Sequence, residues 1–243
     1  MSSLPFVEMQ DEDAPAVLRI LSSIALKPLF ERMGPQLEQA AGMRTAVTLL
    51  ASPAVQREVR RQAVFDVAIS NPAIVDEMID DCYLVASTRV NIARSTIGVV
   101  GRAGVPKCDV GSMKGFRRAL FSARSIAHSD GGVGRIFLRM LDDMGIRAEL
   151  EDKLKVVPAF SGAEVVARGQ ADVAVLITVA VAGVEGVELI GIPPAELLPY
   201  VSFAGAVGAS AHNPKAAAAF LAVLAASEND PALKAVGMSR IPN

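Results

Sequence analysis

The sequence predicts an α/β protein of two lobes, each a mostly parallel sheet flanked by helices, with a ligand cleft between them. Three observations lead there. Apolar residues make up 51% of the 243, yet the uncharged apolar runs Val173–Val184 and Ala216–Ala226 fall well short of the about 20 residues that a membrane-spanning helix needs. Such an excess fits strands buried on both faces, as in parallel sheets. Strand-like and helix-like segments alternate along the chain, and that alternation occurs twice with matching landmarks. The length suits two lobes of roughly 100–120 residues each.

Residues 1–16 form a polar leader expected to be loose. Val17–Leu21 is a short apolar run ending in Ser22-Ser23. Leu26, Leu29, Phe30, Met33 and Leu37 then mark one face of a helix that Gly42 closes. Thr45–Leu50 is a second strand, and Ser52-Pro53 starts a helix with proline in its first turn. Phe65–Ser70 is a third strand, and Asn71-Pro72 opens a helix to Asp81. The plan returns with strand Ser125–Ala127, the loop His128-Ser129-Asp130-Gly131-Gly132, and a helix striped by Ile136, Phe137, Met140, Leu141 and Met144 up to Gly145. Strand Leu154–Val157, a helix from Ser161 and strand Asp172–Ile177 complete it. Asp66 and Asp172 are 106 residues apart, and the same shift carries Ser22-Ser23 onto His128-Ser129.

Each β-α-β-α-β unit is expected to form one sheet by right-handed crossovers. The join falls in Thr88–Gly104, where Val90–Ala93 and Thr96–Val100 are extended stretches interrupted by Arg94-Ser95. The chain returns to the first lobe near Leu198–Val207, and a helix from Asn213-Pro214 through Leu224 closes that lobe. The expected division is 17–95 with 201–243 as lobe I and 96–200 as lobe II, with a hinge where the chain crosses twice.

Composition narrows the function. With 24 Lys+Arg against 26 Asp+Glu, the chain lacks the basic surplus that nucleic acid or an anionic membrane surface calls for. Aromatics are only 5% and tryptophan is absent, which argues against a surface for stacking bases or sugar rings. Cys82 and Cys108 have no metal spacing and read as ordinary thiols. His128 and His212 cannot build a zinc site alone. No Gly-Lys-Ser/Thr follows the glycines at 131, 132 and 134, and Gly132-Val133-Gly134 does not complete the dinucleotide fingerprint. The sequence therefore predicts no cofactor and no metal.

Candidate chemistry sits where strands run into helices. Ser22-Ser23, Ala51-Ser52, Ser129–Arg135 and Phe160–Gly162 each offer a hydroxyl and free backbone N–H groups at a helix start, suited to an anion. The same serines can equally serve as plain helix caps. Arg135 can hold a carboxylate through two parallel hydrogen bonds, or it can be a solvated first-turn residue. His128 next to this loop can act as a base near neutral pH, or as a strand-end structural histidine.

These segments carry a resemblance. Leu21–Lys27, Leu49–Pro53, Phe65–Ser70, Ala127–Gly132 and Gly169–Ala174 resemble the molybdate-binding-protein-like branch of the type II periplasmic binding proteins, the solute-binding proteins of ABC transporters. The likeness spans about residues 17–240. It implies the type II fold, a small anion (molybdate-like oxyanion or organic carboxylate) as ligand, and an ABC permease as partner if the protein is exported. It assigns ligand binding to Ser22 or Ser23, Ser52, Ser129, the amides of Gly132, Val133 and Gly134, and Ile177-Thr178. Pro53 departs from the pattern by removing a donor, and Arg135 departs by adding a charge that molybdate does not need.

The same branch is similar to bacterial aconitate isomerases. That likeness implies an alternative activity, the shift of a double bond in a small polycarboxylate, with His128 or Asp130 as base and Arg135 and Arg94 as carboxylate clamps. No Lys or Arg precedes Arg19, and acids occupy the place of an apolar leader core. The chain as written is therefore expected in the cytoplasm, or in the periplasm if a leader has been removed.

Overall fold

The computed structural model describes residues 17–105, 108–181 and 183–241; the expected leader lies outside them. Val17–Ser23 forms β1, apolar enough to be buried on both faces beyond Arg19. Helix α1 (Lys27–Ala41) follows and buries Leu29, Phe30, Met33 and Leu37. It ends where Gly42 turns to φ 68°, a left-handed cap that glycine adopts without steric cost. Strand β2 (Arg44–Leu50), helix α2 (Ser52–Arg60) and strand β3 (Val67–Ser70) complete the first unit. The parallel order is β2-β1-β3.

Helix α3 (Pro72–Asp80) leads to the long strand β4 (Val90–Arg102). Helix α4 (Met113–Ser122) precedes the second unit, which comprises β5 (Ile126–Ser129), α5 (Gly132–Asp143), the short α6 (Arg147–Leu150), β6 (Leu154–Val157), α7 (Gly162–Ala167) and β7 (Val173–Ile177). Its parallel order, β6-β5-β7, repeats that of the first. After β8 (Val187–Gly191), strand β9 (Tyr200–Val207) returns to the first sheet beside β3. Helix α8 (Pro214–Ala225) lies against α1 and stacks Phe220 on Phe30 at 6.3 Å. Helix α9 (Asp230–Ala235) and the two-residue β10 (Met238–Ser239) end the chain.

The internal repeat extends to the register. Ile20, Leu21 and Ser22 lie opposite Val67, Ala68 and Ile69. Ile126, Ala127 and His128 lie opposite Val173, Ala174 and Val175, each position shifted by the same 106. The aspartate before each inner strand explains the shared Asp-Val-Ala motif. Asp66, fully buried, accepts from the backbone N–H of Arg19 at 2.9 Å, His212 at 2.8 Å and Asn213 at 3.2 Å. Asp172 accepts from the N–H of Arg124 at 2.8 Å and from its guanidinium at 3.1 Å. Both carboxylates fasten the entry of the neighbouring strand.

Antiparallel strands complete the parallel trio of each unit, β9 and β4 at the first sheet and β4 and β8 at the second. One expectation needs correcting. Arg94-Ser95 does not interrupt the crossing, because β4 runs unbroken through it. Ser95 is buried, and the Arg94 guanidinium lies 4.2 Å above the Tyr200 ring, so a polar pair fits inside a buried strand. Residues 90–96 pair with β9, while 97–101 pair with β7. A bulge between Asn91 and Ala93 bends the first part.

Replacing Asp66 with asparagine turns one of its two acceptor oxygens into a donor and leaves buried N–H groups unmet. Asp66→Asn is expected to lower stability by about 1–3 kcal/mol, read by urea unfolding; an unchanged midpoint would refute the strand-fastening role. At Asp172 the Arg124 side chain, and then its amide, hold the carboxyl below the ordinary carboxylate range. The unfolded chain thus takes up this proton first as pH falls. The resulting stability is present above the ordinary pKa near 3.9 and is lost as pH drops through the lower folded value. Asp172→Asn is expected to flatten that acid loss, measured by urea unfolding between about pH 5 and pH 2.

Candidate functional site

The carboxyl ends of the parallel strands in both sheets face one cleft, as open α/β sheets require. Ser23 at the end of β1, Ala51–Pro53 after β2 and Asn71 after β3 form one wall. Ser129 at the end of β5, the first turn of α5, Ala159-Phe160 after β6 and Ile177 at the end of β7 form the other. Val201 and Phe203 of β9 close the back of about 450 Å³ of open space.

On the first wall, Ser52 Oγ lies 3.4 Å from Ser23 Oγ, and Ser70 Oγ donates to the Ser52 carbonyl at 3.4 Å. Helix α2 begins at Ser52, so the Ser52 amide has no partner within the helix, while Pro53 has none to offer. On the second wall, Ser129 Oγ accepts the Gly134 N–H at 3.3 Å, which leaves the hydroxyl proton free to donate elsewhere. A Cβ on Gly134 would fall on the Ser129 carbonyl oxygen. That near-contact is what demands glycine there. The amides of Gly132 and Val133, at the start of α5, have no partner within the helix.

Of the residues expected at the site, Ser23, Ser52, Ser129, Gly132, Val133 and Ile177 line this cleft. Ser22 does not: it is fully buried, and its hydroxyl donates to the Ser23 carbonyl at 3.4 Å. The Gly134 amide is spent on Ser129. Thr178 starts a 3-10 turn beyond β7 and does not line the cleft. Arg94 stands behind Tyr200 and holds Ser239 Oγ at 3.2 Å. Asp130 is exposed on the β5–α5 loop and lines neither the cleft nor its neighbours.

His128 is 4% exposed and borders an adjoining cavity of about 380 Å³ that shares Ser129, Val133, Phe160 and Ile177 with the cleft. Its Nδ1 lies 3.1 Å from the Ser129 carbonyl. A carbonyl only accepts, so in the neutral ring Nδ1 carries the proton and Nε2 the lone pair. The ring tilts against Phe137 at 5.8 Å.

Arg135 lies just outside. A Cβ on Gly132 would sit 4.0 Å from Arg135 Nη2 and 3.5 Å from Asn71 Oδ1, which places the guanidinium at the seam where the cleft opens into a neighbouring groove. Among the described residues no charged side chain lines the cleft itself. An anion there meets hydroxyls, amides and helix N-termini, with apolar walls around them.

Asn71, Val201 and Phe203 were not expected at the site, whereas Phe160 belongs to the Phe160–Gly162 loop that was. The strand-to-helix rule does pick out Asn71, since Asn71-Pro72 follows β3 as Ser52-Pro53 follows β2. The β9 residues arrive from far along the chain and carry no local signal. Phe160 holds φ 69°, a conformation that costs a non-glycine residue about 1–2 kcal/mol, and it lines both cavities.

A family model described as "Bacterial extracellular solute-binding protein" matches residues 18–239. An aconitate isomerase from Pseudomonas sp is 26% identical over 231 residues, covering 93% of this chain and 88% of that protein. The periplasmic molybdate-binding protein of Azotobacter vinelandii superposes with a TM-score of 0.75 at 16% identity, covering 93% of this chain and all of the other. The tungstate-binding protein of Desulfovibrio alaskensis G20 gives 0.71 at 12% identity, covering 95% of this chain and all of the other. At these identities the structural likeness shows the fold alone.

Gly134→Ala is expected to force the β5–α5 loop apart and to destabilise the protein by about 1–3 kcal/mol. Wild-type thermal and urea midpoints for this variant would contradict the packing described.

Proposed function

Because the chain belongs to the bacterial extracellular solute-binding protein family, we propose that the cleft between its sheets binds a small anion for delivery to an ABC permease. The observation that carries this reading is the convergence of Ser23, Ser52 and Ser129 with the unpaired amides of Ser52, Gly132 and Val133 on a cavity free of carboxylates. Hydroxyls and helix N-termini present partial positive charge to an anion, and neutral donors hold it without the cost of burying a full countercharge. The fold is that of the type II periplasmic binding proteins. Family membership favours the periplasm over the cytoplasm, and among the described residues no helix is long and apolar enough to cross a membrane. Closure of lobes 17–95 with 201–243 and 96–200 about the β4 and β9 crossings would bring the two walls onto the ligand.

A second reading has its own support. His128, with Nδ1 3.1 Å from the Ser129 carbonyl, borders a cavity that shares lining residues with the cleft, and the relative from Pseudomonas sp is an aconitate isomerase. In that reading His128 removes a proton from a carbon next to a carboxylate-bearing double bond. The double bond moves, and the proton returns at the other end of the allylic system. Asp130, the other candidate base, lines neither cavity.

Thermal-shift and native mass-spectrometric screening against molybdate, tungstate, sulfate and small carboxylates should find one strong stabiliser. A hundredfold excess over Kd adds about 2.7 kcal/mol, and Ser52→Ala should weaken that ligand about tenfold. If no anion raises the melting temperature, the cleft reading fails. Incubation with cis- and trans-aconitate followed by NMR separates the second reading: interconversion that His128→Gln abolishes supports it, and none at high protein concentration eliminates it.

A further inference from the structure

Beyond the seam at Gly132 the cleft opens into a groove of about 1080 Å³. Arg135 and Arg139, one turn apart on α5, line one side, with Tyr200 and Ser202 of β9 among the other lining residues. Among the described residues neither guanidinium has a hydrogen bond or an ion pair, and no acidic side chain lines the groove. Several other arginines are ion-paired, Arg60 with Glu77 and Asp81, Arg89 with Asp76, Arg124 with Asp172, Arg147 with Asp142 and Arg168 with Glu164, whereas Arg135 and Arg139 stand together on one groove without a carboxylate among its lining residues. Two like charges at i and i+4 disfavour the helix slightly. An anion lying across both would relieve that repulsion.

The cleft supplies the complementary fact. Its donors are gathered at the serine and helix-start positions, whereas Phe160, Ile177, Val201 and Phe203 present carbon. A compact tetrahedral oxyanion bristles with acceptors on every side, and those turned to these walls would go unmatched. A molecule with charged ends and a carbon middle fits such a surface.

We propose that the ligand is an organic di- or tricarboxylate with one carboxylate on the Ser23, Ser52 and Ser129 end of the cleft. Its carbon skeleton lies against the apolar wall, and a second carboxylate is held by Arg135 and Arg139 in the groove. Arg135 reaches the ligand at the Asn71–Gly132 seam, where cleft and groove meet. Planar guanidinium forks match carboxylates in parallel pairs of hydrogen bonds. This inference rests on the cleft being the anion site and adds to it the class of ligand.

Isothermal titration calorimetry with butyrate, succinate, tricarballylate and molybdate tests it. Succinate or tricarballylate should bind about tenfold or more tightly than butyrate or molybdate. The double variant Arg135→Gln, Arg139→Gln should fall to the butyrate level for the polycarboxylates and leave butyrate affinity unchanged. Both positions are exposed, so its circular dichroism and melting temperature without ligand should match wild type. Equal affinity for butyrate and tricarballylate, tightest binding of molybdate, or an undisturbed double variant would each overturn the polycarboxylate class and leave the cleft standing. Loss of all binding in Ser52→Ala, with none in the arginine variant, would do the same. Failure of every anion to bind would remove the cleft reading along with it.

Discussion

One strand carries the architecture. β4 spends its first half as a partner of β9 and its second as a partner of β7 and β8. Its backbone donors and acceptors must all be met, so neither sheet can be completed without the strand that completes the other. The cleft is a consequence of that sharing. The parallel trios β2-β1-β3 and β6-β5-β7 are joined through antiparallel β4 and β9, and their carboxyl ends are left to face each other. The bulge at Asn91 and the buried, unpartnered hydroxyl of Ser95 both lie on the stretch of β4 paired with β9, and a second register shift, at Val99–Val100, lies where β4 pairs with β8.

Within that frame the two halves repeat in structure and differ in chemistry. The offset of 106 holds in strand register and in the two fastening aspartates, where it serves folding. At the cleft the copies part. Ser22 is fully buried and turned onto its own chain, while its counterpart His128 borders a cavity. Ser23 and its counterpart Ser129 both line the cleft, but Ser23 meets Ser52 whereas Ser129 is tied to the Gly134 amide. A symmetric scaffold thus encloses an asymmetric site, which suits a ligand whose two ends differ in what they ask of the protein.

The parts of this molecule legible in the sequence are those whose signal is local. Helix α1 was marked by its stripe and by Gly42, and β6 by its apolar run. Ser23, Ser52 and Ser129 were marked as hydroxyls at strand-to-helix junctions. Arg94-Ser95 reads as a break because the ring that receives the Arg94 guanidinium, that of Tyr200, lies more than a hundred residues later, and the one small hydroxyl of Ser95 does not stop the backbone ladder. Val201 and Phe203 were hidden for the same reason: β9 reaches the cleft through long-range antiparallel pairing. Ser22 and Ser23 are adjacent hydroxyls that no spacing rule separates. Alternation along β1 decides that one is turned inward and one toward the cleft.

Charge placement separates holding a ligand from attracting it. A guanidinium buried in the cleft would have to shed its water before an anion arrived, and the several kcal/mol this costs weakens the empty state. Neutral hydroxyls and amides avoid that cost and leave an empty cleft that is stable. The positive charge instead stands at the rim, on Arg135 and Arg139, where it stays hydrated until a ligand comes. A field there raises the rate of encounter and favours anions over neutral solutes, and it does so on a protein whose net charge of −2 gives no general attraction. On the proposed reading, selection by charge is local to one face of α5, and the apolar wall between rim and serines would let a ligand's length, as well as its charge, decide how well it binds.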